Sequence, residues 1–119
     1  MNKDTQVVES ILSELLEDVF ESYRSRLSNS SVVNKDQNDP YSRARQALNK
    51  MSTEERQAIF NFIKLAMVDT SSLIFGTIDG SHFPKNIDGD FSLEYKKDEI
   101  QGSLQDALIA KAEELGVYN

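Results

Sequence analysis

The sequence predicts an α+β fold that is predominantly helical, with about four helices packed around one core and a small two-stranded antiparallel hairpin before the last helix. Three patterns predict it: apolar residues at helical spacing near the start, two capping-box signatures, and one short, strictly alternating run, "DFSLEY". The chain has 119 residues, 39% of them hydrophobic, which is within the usual size of one domain and enough to bury one core. A single domain spanning 1–119 is therefore expected.

In the first segment Val8, Ile11, Leu12, Leu15, Leu16, Val19, Phe20, Tyr23 and Leu27 step by threes, fours and ones, the stripe of an amphipathic helix from about Thr5 to Leu27. Residues 28–39, "SNSSVVNKDQND", have no such period, and burying small polar groups could not offset the entropy of ordering them, so a flexible connector is expected there. Asp39 and Pro40 then carry the signals of a helix start, a capping carboxylate followed by a residue that needs no intrahelical amide partner. This second helix should reach about Asn49, with Tyr41, Ala44 and Leu48 inward.

Ser52 and Glu55 form a capping box in sequence, and a third helix should begin there. Its apolar residues cover more than one face, which marks it as the central and most buried helix. The β-favouring "LIFGTI" leaves a strand as the alternative over residues 73–78. Because no Gly or Pro separates it from Met67, continued helix is preferred, ended by Gly80. Beyond it, Phe91, Leu93 and Tyr95 alternate with Ser92, Glu94 and Lys96 as in a half-buried strand. A turn at Lys97-Asp98 would lead to a second strand through Ile100. Ser103 and Asp106, in capping-box spacing, open a last helix with Leu104, Ala107, Leu108, Ala112 and Leu115 inward, and Gly116 stops it.

The chemistry readable in the sequence is sparse. The net charge is −7, and it is uneven: residues 1–39 and 65–119 are acidic, while residues 40–64 carry an excess of bases. An acidic balance disfavours nucleic acid and anionic lipid and favours solubility or a basic partner, solubility alone being the commoner reason for it. The absence of cysteine removes disulfides, thiolate metal sites and thiol nucleophiles, and suits the cytoplasm. "MNKDTQVVES" has no secretory pattern, and the most apolar stretch is interrupted by Lys64, Asp69 and a Thr-Ser-Ser run, so no membrane span is expected.

The repeated Ile-Asp-Gly at 78–80 and 87–89 flanks the only histidine, His82. A calcium loop beginning at Asp88 would need glycine at its sixth position, where Leu93 stands in the alternating run, so both Asp-Gly pairs read as chain reversals. Phe83 and Pro84 between them suit an extended crossing with the ring on the core. Ser81 and His82 are sequence neighbours, which seldom face each other as nucleophile and base. One histidine and no cysteine leave only carboxylates for zinc, and no phosphate-binding glycine loop is present. No cofactor, metal or catalytic residue is expected. The candidate partner-binding residues are Glu14, Glu17, Asp18 and Glu21, which fall opposite the apolar stripe within two turns, with no base among them.

The runs "ERQAIFNFIKLAMVDTSSLIFGTIDG", "GDFSLEY" and "IQGSLQDAL", between Glu54 and Gly116, resemble a group of small bacterial proteins without assigned activity, some of them similar to toxin-immunity proteins. The resemblance rests on apolar and glycine placement in the C-terminal half. It implies a compact helical protein with a small sheet, and carries over no functional residue. The expected function is that of a non-enzymatic protein-binding module, of the kind that neutralises a toxin. The alternatives are an enzyme using Asp79, His82 or Asp88 near the 79–90 loop, and a regulatory or structural subunit; a homo-oligomer is compatible with each.

Overall fold

The computed structural model describes residues 2–28 and 38–119, so most of the expected connector lies outside the described residues. Helices take up 68% of the described residues, and the small antiparallel sheet lies before the last of them, which is the predicted class.

The first helix is one rod in three parts: α1 (Lys3–Ser13), a π-helical segment (Glu14–Val19) and α2 (Phe20–Ser28). The ends agree with the expected Thr5-to-Leu27 helix to within two residues, but the middle is not α-helical. Its cause is visible in the sequence. Apolar pairs recur at Val7-Val8, Ile11-Leu12, Leu15-Leu16 and Val19-Phe20, at a strict step of four. An α-helix of 3.6 residues per turn drifts about 40° at each such step, or about 120° over three. That drift would carry the last pair away from the face of the first. A π segment bonds each amide to the carbonyl five residues back and so turns less per residue; the Phe20 amide bonds the Leu15 carbonyl in this way. Val8, Leu12 and Phe20 are thereby all buried, with Leu16 half-buried between them.

Helix α3 (Pro40–Asn49) begins as predicted. Asp39 accepts the Ser42 amide at 3.1 Å and the Ser42 hydroxyl at 2.7 Å, and Pro40 follows in the first turn. Ser42 itself is fully buried, a polar core residue that its type did not announce. Helix α4 (Thr53–Asp79) opens on the capping box: Glu55 accepts the Ser52 amide at 2.8 Å and its own amide bonds Ser52 Oγ at 3.1 Å. It continues through "LIFGTI" and stops at Gly80, whose φ of +82° is the left-handed conformation that glycine adopts without steric cost.

The capping box has a pH signature. Hydrogen bonds from the Ser52 backbone and then its side chain hold the Glu55 carboxyl below its ordinary value of 4.5. A depressed folded pKa contributes stability that is present above the unfolded value and lost as pH falls through the folded one. Acidification below about pH 4.5 is therefore expected to fray the start of α4. Glu55→Gln should remove that part of the acid response, and the amide shifts of Ser52 and Glu55 followed by NMR titration check it.

The hairpin is smaller than predicted. Strands β1 (Glu94–Tyr95) and β2 (Asp98–Glu99) pair antiparallel, with Glu94 opposite Glu99 and Tyr95 opposite Asp98. The turn is Lys96-Lys97 rather than Lys97-Asp98: both have positive φ, +51° and +71°, as the two-residue turn that matches strand twist requires. Beyond the ladder the Ile100 amide still bonds the Leu93 carbonyl at 2.8 Å, which delivers Ile100 to the core. Leu93 and Tyr95 are half-buried as expected, whereas Phe91 is exposed.

Helix α5 (Leu104–Glu114) packs on both α1 and α4, and Gly116 (φ +76°) ends its turn. Around it Val8, Leu12, Val68, Phe75, Ile100, Leu104, Leu108 and Ala112 form the main core. A second cluster of Phe20, Leu48 and Phe60 joins α2, α3 and α4. The resulting body is elongated, 49 × 33 × 25 Å.

Leu115 and α4 also depart from the burial expected of them. Leu115 is exposed, because the chain turns off α5 one residue before Gly116. Helix α4 is not the most buried element: of its 27 residues only Phe60, Val68, Phe75 and Gly76 are buried. A helix of that length spans about 40 Å, and its neighbours cover one side of it. The opposite side meets water.

Candidate functional site on the flanks of the first helix

The π segment decides where the four candidate acids point. In a pure α-helix Glu14, Glu17, Asp18 and Glu21 would share one arc. Here residues four apart stay in line, so Glu17 follows Ser13 and precedes Glu21 along one row, while Glu14 and Asp18 form another. All four are exposed. Glu17 and Glu21 line a cleft of about 930 Å³ between the rod, α4 and the end of α5, and Glu14 and Asp18 do not. Glu17 accepts a bond from Ser13 Oγ at 3.0 Å, and Glu21 is ion-paired with Arg24 one turn on. The cleft also receives Glu9, Lys111 and Lys64, whose ammonium lies 4.6 Å from the centre of the Phe20 ring. This is a mixed surface over an apolar floor of Leu12, Leu16 and Val117.

The other flank of the rod is apolar. Leu15, Val19 and Tyr23 form one wall of a trough of about 490 Å³, and Phe62, Ile63, Ala66 and Met67 of α4 form the other. Thr70 and Ser71 complete its lining, yet each donates its hydroxyl to its own helix, to the Ala66 and Met67 carbonyls at 2.8 Å. Those polar groups are satisfied locally and do not compete for a ligand. At one end Tyr23 meets Tyr41 of α3, ring centres 6.4 Å apart. Phe62 is 65% exposed at the rim, and Ile59, Leu73 and Ile74 continue the exposed apolar surface along α4. Contiguous exposure of this kind marks interaction surfaces in soluble proteins. From their apolar character in the sequence these residues are expected in the core. The signal that they could not all be there was the spread of apolar positions over more than one face of a helix too long for its neighbours to enclose.

Length and composition alone also let α4 pass as a membrane-crossing helix: an 18-residue window has mean hydropathy 1.4 and is only 17% buried. Lys64, Asp69 and the Thr-Ser-Ser run did not exclude that by themselves.

The 79–90 loop is taken up by structural work. Asp79 Oδ1 accepts the amides of Gly102 at 2.7 Å and Leu104 at 3.1 Å, and Oδ2 accepts that of Gln105 at 2.8 Å. The carboxylate caps α5 from the end of α4. Ser103, expected to cap α5 itself, makes no side-chain cap bond. His82 and Asp88 are exposed, and Phe83 is 63% exposed instead of packing on the core. The backbone explains the loop's path: the amides of Ser81 and His82 both bond the Gly76 carbonyl, at 2.9 and 3.0 Å. His82→Ala keeps that amide bond and should leave stability within about 0.5 kcal/mol; a loss of several kcal/mol in urea melts would show a site here. Among the described residues no group of three His, Asp or Glu side chains is placed to share a metal ion.

No family model, no curated protein and no solved structure matches the chain.

Proposed function

We propose that this chain is a non-enzymatic binding protein whose acidic rows, Glu14 with Asp18 and Glu17 with Glu21, recognise a basic protein partner. The observation that carries this reading is the exposure of all four carboxylates within two turns of one helix, with solvent-exposed apolar surface directly beside them. Carboxylates at a rim steer an oppositely charged partner and fix its register, while neighbouring apolar area supplies the holding energy. The runs from "ERQAIFNFIKLAMVDTSSLIFGTIDG" onward resemble small bacterial proteins without assigned activity, some of them similar to toxin-immunity proteins, and on that resemblance a basic toxin neutralised in the cytoplasm is the candidate partner class. The enzyme alternative is weakened by Asp79, both of whose oxygens are engaged with the backbone of α5.

Affinity capture from the source cells tests the reading, using the wild type beside a variant with all four acids changed to lysine. A basic protein retained by the wild type and lost by the variant supports it. Retention by both, or a strongly acidic partner, contradicts it.

A further inference from the structure

We infer that the trough between the first helix and α4 is the seat of one amphipathic helix with basic flanks, contributed by the partner. The inference rests on the partner reading above and names the part of the surface that holds the partner. The rod runs antiparallel to α4, since Val8 clusters with Phe75 at one end and Phe20 with Phe60 at the other. Two such helices leave a groove between their ridges that a third helix, about 10 Å across, fills. From Leu15 to Tyr23 the wall is about 12 Å long. Ile11, one turn earlier on the same row, is exposed, as is Ile74 one turn beyond Thr70, so the apolar track serves about three turns of a helix. Anchors at i, i+3 or i+4, and i+7 are what such a groove reads.

Charge selects the occupant. Among the described residues no lysine or arginine lines the trough, Glu14 and Asp18 are exposed on the turns of the first helix that carry Leu15 and Val19, and Asp69 is exposed on α4. A second copy of this chain would bring its own net charge of −7 to that rim and be repelled. A basic amphipathic helix would be attracted. The fold already holds one: α3 carries Arg43 and Arg45 with no acid between Pro40 and Asn49, it seats Leu48 against Phe20 and Phe60, and its Tyr41 meets Tyr23 of the trough wall. The open stretch offers the same two helices to a second such segment.

The test uses the full chain and three synthetic peptides of about 14 residues, four turns of helix. One has a leucine stripe flanked by lysines, one has the same stripe flanked by glutamates, and one has the lysines without the stripe. Fluorescence anisotropy should show the first binding at least about tenfold more tightly than either other. Phe62→Asp, at a rim position already exposed, should weaken it by about tenfold or more, and Glu14→Lys/Asp18→Lys should weaken it as well. Equal binding of the stripe-less peptide, or indifference to Phe62→Asp, overturns the inference. So does a wild-type dimer in sedimentation that Phe62→Asp dissolves, or Phe62-dependent binding to neutral phosphatidylcholine vesicles. A natural partner lost on reversal of the four acids but bound normally by Phe62→Asp would overturn the trough and leave the acidic-row reading standing.

Discussion

Replacing Leu108 by alanine should destabilise the fold by ~2–5 kcal/mol, the range for deleting a fully buried leucine whose surroundings collapse only in part. Leu108 has no exposed surface, and it lies on a helix that packs against both α1 and α4. The main core contains eight buried residues, so the cavity has few neighbours able to move into it. Most of a small domain's stability, about 5–15 kcal/mol in total, would then depend on such sites. Phe62→Ala is the control: a larger side chain, but one already in water, which should cost less than about 0.5 kcal/mol. Urea denaturation of both variants checks the pair. A Leu108 loss below about 1 kcal/mol would mean that α5 does not join the two helices as described.

Asp79→Ala is expected to cost about 1–3 kcal/mol, more than a local helix cap usually contributes, because one carboxylate receives three amides from an element 23 or more residues away. Removing it strands the start of α5 and loosens the join to α4. Asp79→Asn keeps one acceptor oxygen and should fall between wild type and alanine. Ser103→Asp in the Asp79→Ala background supplies a local cap and should recover part of the loss. Thermal melts of the four proteins read the order directly; if alanine and asparagine are both neutral, the cross-helix cap is not a stabilising contact.

Much of the fold was legible because it is written in local signals. Ser52 with Glu55, Asp39 with Pro40, and Gly80 and Gly116 each act within a few residues of where they stand, and each marks an observed helix end. What was not legible depends on partners distant in sequence. Ser103 and Asp106 have capping spacing, yet Asp79 reached α5 first, which no local pattern encodes. Helix α4 has an apolar composition that reads as interior, but burial depends on how many helices remain to cover it, and the chain supplies too few. Phe83 failed for the same reason: an aromatic in a loop packs only if the loop lies over the core. The π segment is an intermediate case. Its signal, apolar pairs at a strict step of four, was in the sequence but is read only when the period is measured against 3.6. All four acids are exposed as expected, and only Glu17 and Glu21 line the cleft, which no local pattern announced.

The central claim is that the acidic rows of the first helix steer a basic partner, and association kinetics test it most directly. With the captured partner, on-rates would be measured at two salt concentrations for the wild type, Glu14→Lys/Asp18→Lys and Glu17→Lys/Glu21→Lys. Attraction between exposed charges acts mainly on association and is screened beyond about 8 Å at physiological ionic strength. Both variants should therefore associate more slowly, with a flatter salt dependence, while their melting curves stay with the wild type because the buried line of Val8, Leu12 and Phe20 is untouched. On-rates and salt slopes equal to the wild type in both variants would contradict the claim.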